Sequence, residues 1–277
     1  MYTEIINLKT WKEINSFILE LGSNWVFRGQ ESYIWGLSTS FDRFDIPNIR
    51  NEKANKFFFE NFLLSKLRNN KNLIKDDFYY SDDFLQQLAF LQHYGAPTRL
   101  LDFTWSPYVA LFFAIENSQD DSAVYAISAF DYLFSAYAVM KEDYNQEISR
   151  LGFSEPQNFF NIFLTENDVR LVALISPNFN NFRLRNQLGC FLAPANVNLS
   201  FEQNLVRNLQ INLTINGKRN NPIYKIKIFK ELKSEILWHL SRMNITRYIL
   251  FPDTEGLVKS FKNSIIAELF EENYIIR

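Results

Sequence analysis

Four short stretches of the chain place polar or charged side chains inside apolar sequence, and chemistry is expected there. They are Arg28-Gly29-Gln30 and residues 92–114, 180–191 and 249–256. Arg28 follows the apolar run Trp25-Val26-Phe27, and its planar guanidinium suits a phosphate or a carboxylate. Burying an unpaired charge costs on the order of several kcal/mol, so Arg28 needs a partner. That partner is either Asp102 or a ligand, and Gly29 favours the ligand because it lets something approach the backbone.

The second stretch combines a cation with the start of a helix. Ser106-Pro107 is typical of an N-cap and first turn, and such a helix start offers free N–H groups to a phosphate. With Arg28 and Arg99 it predicts a pyrophosphate site, to which Thr104 adds a hydroxyl. An aromatic wall for a stacked ring would come from Tyr94, Phe103 and Trp105. The structural alternative pairs Arg99 with Asp102 and leaves Thr104 and Ser106 as caps.

Other reactive residue types are few. The chain has two histidines and one cysteine at unrelated spacings, so no metal site is expected. Cys190 lies in an apolar run and is expected to be a buried small hydrophobe. His93, beside the helix terminator Gly95, either bonds a carbonyl or acts in catalysis. Gln187 and Gly189 either hold a strand junction or contact a ligand.

Composition and missing motifs exclude several classes of function. The net charge of −2 over 277 residues gives no global attraction to nucleic acid or to an anionic membrane. No apolar run approaches the roughly 18 residues of a membrane helix. A secretory leader pattern is absent at the N-terminus. We therefore expect a soluble cytoplasmic protein. The sequence also lacks P-loop, Rossmann and nucleophile-elbow motifs.

Periodicity and capping signals predict the elements that position these residues. Helices are expected over about 11–21, 52–68, 82–94, 107–115, 230–242 and 255–272. Strands are expected at residues 25–28, 123–127, 171–175, 190–193, 223–229 and near 248–251, with 96–105 as a loop. With no internal repeat or linker, the fold class is α+β. We expect one domain over 1–277, with a mixed or antiparallel sheet flanked by helices and a helical portion over about 1–95 packed on it.

Four blocks of this sequence resemble the FRG domain family. They are Phe27-Arg28-Gly29, HYGAPTRLLDFTWSPYVALFFA, RLRNQLGCF and LFPDTEG, and they occur in the expected order over most of residues 24–260. The central block is approximate, because the family more commonly has Trp where Phe103 stands and Asn where Trp105 or Ser106 stands. The resemblance implies a bacterial or phage-associated intracellular protein.

A more distant resemblance is to mono-ADP-ribosyltransferases. Arg28 and Gly29 match the arginine–glycine pair that contacts NAD in that family. Thr104 and Ser106, ahead of an A-x-x-F-A helix, match the hydroxyl motif that braces the nicotinamide pocket. Gln187 stands where a glutamate bonds the ribose. A glutamine can bond a hydroxyl but cannot act as a base, so Glu116 or another carboxylate would have to serve.

The resemblances imply a nucleotide-binding intracellular effector with NAD as its substrate. The leading hypothesis is ADP-ribosyl transfer to a nucleic-acid or protein acceptor, in a toxin or antiphage role. Arg28, Gln187 and His93 would be catalytic. The cofactor-binding set would be Arg28, Gly29, Tyr94, Arg99, Asp102, Thr104 and Ser106. The alternatives are a non-catalytic nucleotide-sensing or interaction module and a metal-independent nuclease that uses His93.

Overall fold

The computed structural model describes residues 3–44, 55–74, 83–129, 162–164, 166, 168–175, 182–216 and 223–275. The strands are β1 Thr3–Leu8, β2 Trp25–Gln30, β3 Leu101–Thr104, β4 Ser122–Ser128, β5 Val172–Ile175, β6 Gly189–Pro194 and β7 Ile223–Ile228. The helices are α1 Trp11–Leu21, α2 Ser40–Arg43, α3 Lys56–Asn69, α4 Phe84–His93, α5 Pro107–Ile115, α6 Phe182–Asn186, α7 Phe201–Asn216, α8 Lys233–Arg242, α9 Arg247–Leu250 and α10 Thr254–Ile275. Short 3-10 turns cover Lys71–Leu73 and Lys230–Leu232.

The strands form one seven-stranded mixed sheet in the order β1-β7-β4-β2-β3-β6-β5. β1 runs parallel to β7, and the other neighbours are antiparallel. Because the strand pairs are antiparallel except for β1 and β7 and helices flank the sheet, the fold is α+β with a mixed sheet, as the sequence predicts. Among the described helices none is long and apolar enough to cross a membrane.

Local signals explain where the helices that flank the sheet begin. Thr10 Oγ1 accepts a bond from Glu13 N at 3.2 Å and starts α1. Ser106 Oγ accepts from Val109 N at 3.3 Å and starts α5, with Pro107 in the first turn. Both side chains satisfy N–H groups that a helix start leaves without an internal partner. α5 is apolar on nearly all sides, because it lies between the sheet and the outer helices.

The core has three parts, and two of them cover opposite faces of the sheet. On one face α1, α5 and α8 pack on β2, β4 and β7, with Phe27, Phe112 and Ile236 among the buried residues. On the other face Val26, Phe103 and Phe201 belong to a second cluster. The third cluster joins α3 and α4 to β5 and β6. The sheet is therefore covered on both faces.

Several elements differ from the sequence-based expectation, and among them the helices α2, α6 and α7 were not predicted. β1 was not predicted, and β3 lies in the segment expected to be a loop. The strand expected near 248–251 is wrong, because Thr246 Oγ1 accepts from Ile249 N at 3.5 Å and caps the short helix α9. The region 1–95 also contributes two sheet strands, β1 and β2, besides its helices.

Candidate functional site

The site lies at a seam in the sheet between β2 and β3. β2 pairs with β4 along all six residues from Trp25 to Gln30 but with β3 only at Phe27 opposite Thr104. A cleft of about 500 Å³ opens along this seam, within the usual size range of small-molecule sites. Its lining residues are Phe27, Arg28, Gly29, Gln30, Glu31, Trp35, Ala89, Gln92, His93, Asp102, Phe103, Thr104, Phe113, Arg183, Leu184, Gln187 and Phe191.

Arg28 bridges this seam. Its Nη1 donates to the backbone oxygen of Asp102 at 2.8 Å and lies 3.9 Å from the carboxylate Oδ2 of the same residue. Burial lowers the pKa of the Arg28 guanidinium, and the nearby Asp102 opposes that effect. The buried Nε has no hydrogen-bond partner among the described residues. Arg28 therefore lines the cleft with a structural partner at Nη1 and with a buried Nε that no described residue satisfies.

Asp102 is held on the opposite side of the seam. Gln92 on α4 donates from Nε2 to Asp102 Oδ2 at 3.0 Å and to Leu100 O at 3.3 Å. The Asp102 side chain is 62% exposed, so the ion pair with Arg28 is open to water. Such exposed pairs contribute about 1 kcal/mol or less. The firmer link across the seam is the bond from Arg28 to the main chain.

Gly29 has a structural explanation that the sequence did not reveal. A Cβ at Gly29 would lie 2.0 Å from Ala110 O and 2.6 Å from Ala114 N, both on α5. Glycine is required because the helix backbone packs directly on β2. Gly29 also lines the cleft. The inference that its missing side chain clears the backbone for a ligand is corrected, since α5 occupies that space.

Thr104 and Gln187 form the junction at the closed end of the seam. Thr104 Oγ1 donates to Gln187 O at 2.6 Å and accepts from Ser106 N at 3.0 Å. Gln187 Nε2 donates to Leu250 O at 3.1 Å. With its amide nitrogen engaged, Gln187 has its amide oxygen left to offer a ligand donor. The structure thus brings Arg28, Asp102, Thr104 and Gln187 to one cleft.

Arg183 is a second cation in the cleft that the sequence reasoning did not single out. Its guanidinium lies 4.3 Å from the ring centre of Phe251, whose ring also contacts Arg247 at 4.6 Å. Burial lowers the pKa of Arg183. The signal was the basic stretch RLRN, residues 183–186, which directly precedes Gln187. Two arginines from different elements give the cleft a cationic side suited to an anion.

The chain after β2 supplies the other wall. Gln30 is only 6% exposed, its Nε2 donates to Gly36 O at 3.0 Å, and its Oε1 has no partner among the described residues. Glu31 accepts from Asn117 Nδ2 at 3.0 Å. Trp35 is 51% exposed and adds an aromatic surface. Sequence reasoning missed Glu31 and Trp35, because nothing in their spacing ties them to the later blocks.

Arg99 does not reach the cleft, and its assignment to a ligand phosphate is corrected. It is fully buried, and its Nε donates to both carboxylate oxygens of Glu60 at 3.0 and 2.9 Å. Its Nη1 donates to Ala195 O at 3.2 Å. Arg99 pairs with Glu60 on α3 and not with Asp102. It therefore joins α3 to the end of β6.

The remaining predicted residues divide between the cleft and its surroundings. His93 lines the cleft from the end of α4. Its ring meets the Tyr94 ring edge-on, with the two ring centres 4.9 Å apart. Tyr94 is 53% exposed and lies outside the lining. Ser106 also lies outside it and caps α5, so the helix start does not form part of this pocket.

Glu116 and Cys190 are buried outside the cleft and cannot reach a ligand there. Glu116 is buried and pairs with Arg247 at 2.6 Å, away from the lining residues. Cys190 is buried, and burial raises the pKa of its thiol to about 12, so it is a small core residue. Among the described residues no group of three or more His, Cys, Asp and Glu side chains is placed to hold a metal ion.

Comparisons with known proteins match one part of the chain. The search of curated proteins and the search of solved structures found no significant match to this chain. The family model described as the FRG domain matches residues 23–123. That range contains β2, β3, α5 and most of the seam, including Arg28, His93, Asp102 and Thr104. Residues 23–123 of this chain are therefore an FRG domain.

Proposed function

We propose that the cleft binds NAD and that the protein transfers ADP-ribose from it to a nucleophilic acceptor. The observation that supports this most directly is Arg28, a partly buried cation that lines the cleft at the seam. Arg183 brings a second positive charge into the same cleft. A dinucleotide carries a pyrophosphate that two arginines can hold and rings that Trp35 and Phe113 can contact.

The proposed reaction replaces one bond at the ribose. The bond between ribose C1′ and the nicotinamide nitrogen breaks, and its electron pair leaves with neutral nicotinamide. Positive charge develops on the ribose, the acceptor bonds to C1′, and the acceptor proton passes to a base or to water. In this scheme Arg28 orients the pyrophosphate and Gln187 accepts a bond from a ribose hydroxyl through its amide oxygen. Catalysis then rests on positioning and on charges set before the reaction.

The acceptor is proposed to be a nucleic acid or a protein, and the biological role a bacterial toxin or an antiphage effector. These proposals rest on the resemblance to ADP-ribosyltransferases and on the FRG domain over residues 23–123. His93 lines the cleft and is proposed as an auxiliary group near the acceptor.

One observation favours a second function, a nucleotide-sensing module without catalysis. Position 187 carries glutamine, and its side-chain amide and backbone carbonyl already bond Leu250 and Thr104. A residue held in this way can recognise a ligand and leave it intact. A sensing module binds the nucleotide with an affinity similar to that of the transferase but releases no nicotinamide.

The test measures binding and turnover with the same protein. Calorimetry with NAD gives the Kd, and chromatography of the reaction mixture gives nicotinamide release with protein and nucleic-acid acceptors. Arg28→Lys keeps the charge but loses the guanidinium fork, and it is expected to weaken NAD binding at least tenfold. Arg242→Lys is the matched control, since the side chain of Arg242 is 63% exposed and pairs with Glu271 on the surface.

Each outcome assigns a function. Binding with release supports the transferase, and binding without release supports the sensing module. Neither binding nor release refutes both. RNA or DNA degradation without NAD that is lost in His93→Ala would identify the nuclease instead.

A further inference from the structure

We infer that Glu31 supplies the carboxylate that the transfer reaction requires, an inference that rests on the proposed function. The reaction develops positive charge at the ribose and releases a proton from the acceptor. A carboxylate beside the ribose stabilises such a cation and accepts the proton, as carboxylates do in glycoside cleavage. Gln187 can do neither, because its amide is neutral and not basic.

Elimination among the carboxylates near the cleft leads to Glu31. Asp102 and Glu31 both line the cleft. Asp102 is engaged by Arg28 and accepts from Gln92, so its charge is already partly compensated. Glu116 is buried against Arg247 outside the lining. Glu31 is thus the remaining acidic side chain at the cleft wall.

The partner of Glu31 leaves its charge in place. Its Oε1 accepts from the neutral amide of Asn117 at 3.0 Å. Among the described residues no Lys, Arg or His nitrogen forms an ion pair with it within 4.0 Å. The amide fixes one carboxylate oxygen and the other is left to act on a ligand. Lys233 interacts with Glu31 only at longer range, and its Nζ donates to Ser118 O at 2.8 Å. A partly buried carboxylate without a close counter-ion attracts a cation more strongly than one already paired.

The spacing of the charges matches the length of the proposed ligand. Arg28 and Glu31 are three residues apart at the end of β2, which separates their backbones by about 10 Å in an extended chain. In NAD the pyrophosphate lies between two nucleosides, and the nicotinamide ring of one of them carries the positive charge. With the phosphates at Arg28, a ligand whose nicotinamide nucleoside extends along the wall toward Glu31 brings the reacting ribose to this carboxylate.

The test is Glu31→Gln, which keeps an oxygen for Asn117 and removes the charge. We expect nicotinamide release to fall at least about 100-fold in kcat, while the Kd for NAD changes less than about threefold. Glu20→Gln, an exposed change on α1, is the matched control. Formate added to Glu31→Ala is expected to restore part of the release, which a purely structural role would not allow.

The outcomes separate this inference from the function on which it rests. Wild-type protein that neither binds nor cleaves NAD refutes the proposed function and, with it, the role of Glu31. Active wild-type protein with an equally active Glu31→Gln variant refutes the role of Glu31 alone. A variant that loses NAD affinity at unchanged kcat makes Glu31 a binding residue and also overturns the inference. Melting temperatures of the variants show that each is folded.

Discussion

Gly29→Ala tests whether this glycine serves the fold or a ligand. The alanine Cβ would lie 2.0 Å from Ala110 O and 2.6 Å from Ala114 N. A carbon needs about 3 Å or more from such atoms, so α5 and β2 must separate by about 1 Å. Both clashing atoms belong to a helix backbone, and no side-chain rotation relieves them.

The magnitude follows from what moves with α5. Its buried side chains include Val109, Leu111, Phe112 and Ile115. A gap of 0.5–1 Å forfeits roughly a quarter to a half of the dispersion energy of each contact. Overpacking of a core ordinarily costs about 1–3 kcal/mol, and a clash between backbones belongs above that range. We expect Gly29→Ala to lower the free energy of unfolding by about 3–5 kcal/mol.

Urea denaturation followed by circular dichroism measures this change. Gly95→Ala is the control, because a Cβ there meets no atom within 4 Å and its cost comes only from a φ of +83°. That cost is expected to be about 1 kcal/mol. If the free energy of unfolding of Gly29→Ala lies within about 1 kcal/mol of the wild-type value, the packing argument is refuted. Ligand binding would then be the better explanation for a glycine at position 29.

Two further predictions concern charges in the core and on a helix. Glu60→Gln leaves Arg99 buried without a counter-ion, so we expect the free energy of unfolding, measured by urea denaturation, to fall by about 3–5 kcal/mol. The control is Glu255→Gln in the exposed pair with Lys259, which is expected to cost far less. Equal costs for the two variants would contradict the role of Glu60 as the counter-ion of Arg99. His239 stacks on Trp11 at 4.3 Å, and burial, aided by Arg242, lowers its pKa below 6.5. The unfolded chain therefore takes up this proton first as pH falls. Wild-type protein is therefore expected to lose stability relative to the His239→Phe variant as the pH falls from about 7.5 to about 5. A difference in unfolding free energy between the two proteins that stays constant over this pH range would refute the prediction.

Local signals predicted most of the elements that carry the site. The caps at Thr10 and Ser106 and the apolar run before Arg28 correctly predicted α1, α5 and β2. The sequence did not predict β3, because its four residues, LDFT, form a strand only by pairing with the strands on both sides, β2 and β6. Residues 247–251 look like a strand by their apolar run, but the Thr246 cap makes them helical. Tertiary context decided the first case, and a local cap decided the second.

The site residues were predictable only as far as they lie in recognisable blocks. Arg28, Asp102, Thr104 and Gln187 come from three blocks, and the structure brings them to one cleft. The partner of Arg99 was not predictable, because Glu60 lies 39 positions away in a helix with no motif. Glu31 was missed for a related reason, since a surface glutamate and a cleft glutamate look alike in sequence.

The bond between Arg28 and the main chain of Asp102 makes cleft occupancy and sheet integrity compete. A phosphate that draws the Arg28 guanidinium away from Asp102 O breaks this bond, so binding in that geometry exchanges one bond for another. The measured binding free energy is then the free energy of the new bond to the phosphate less that of the lost bond to Asp102 O. By linkage, whatever loosens β3 releases Arg28 for the ligand, and the ligand in turn loosens β3. Amide exchange along β3, three of whose residues line the cleft, would therefore report its occupancy.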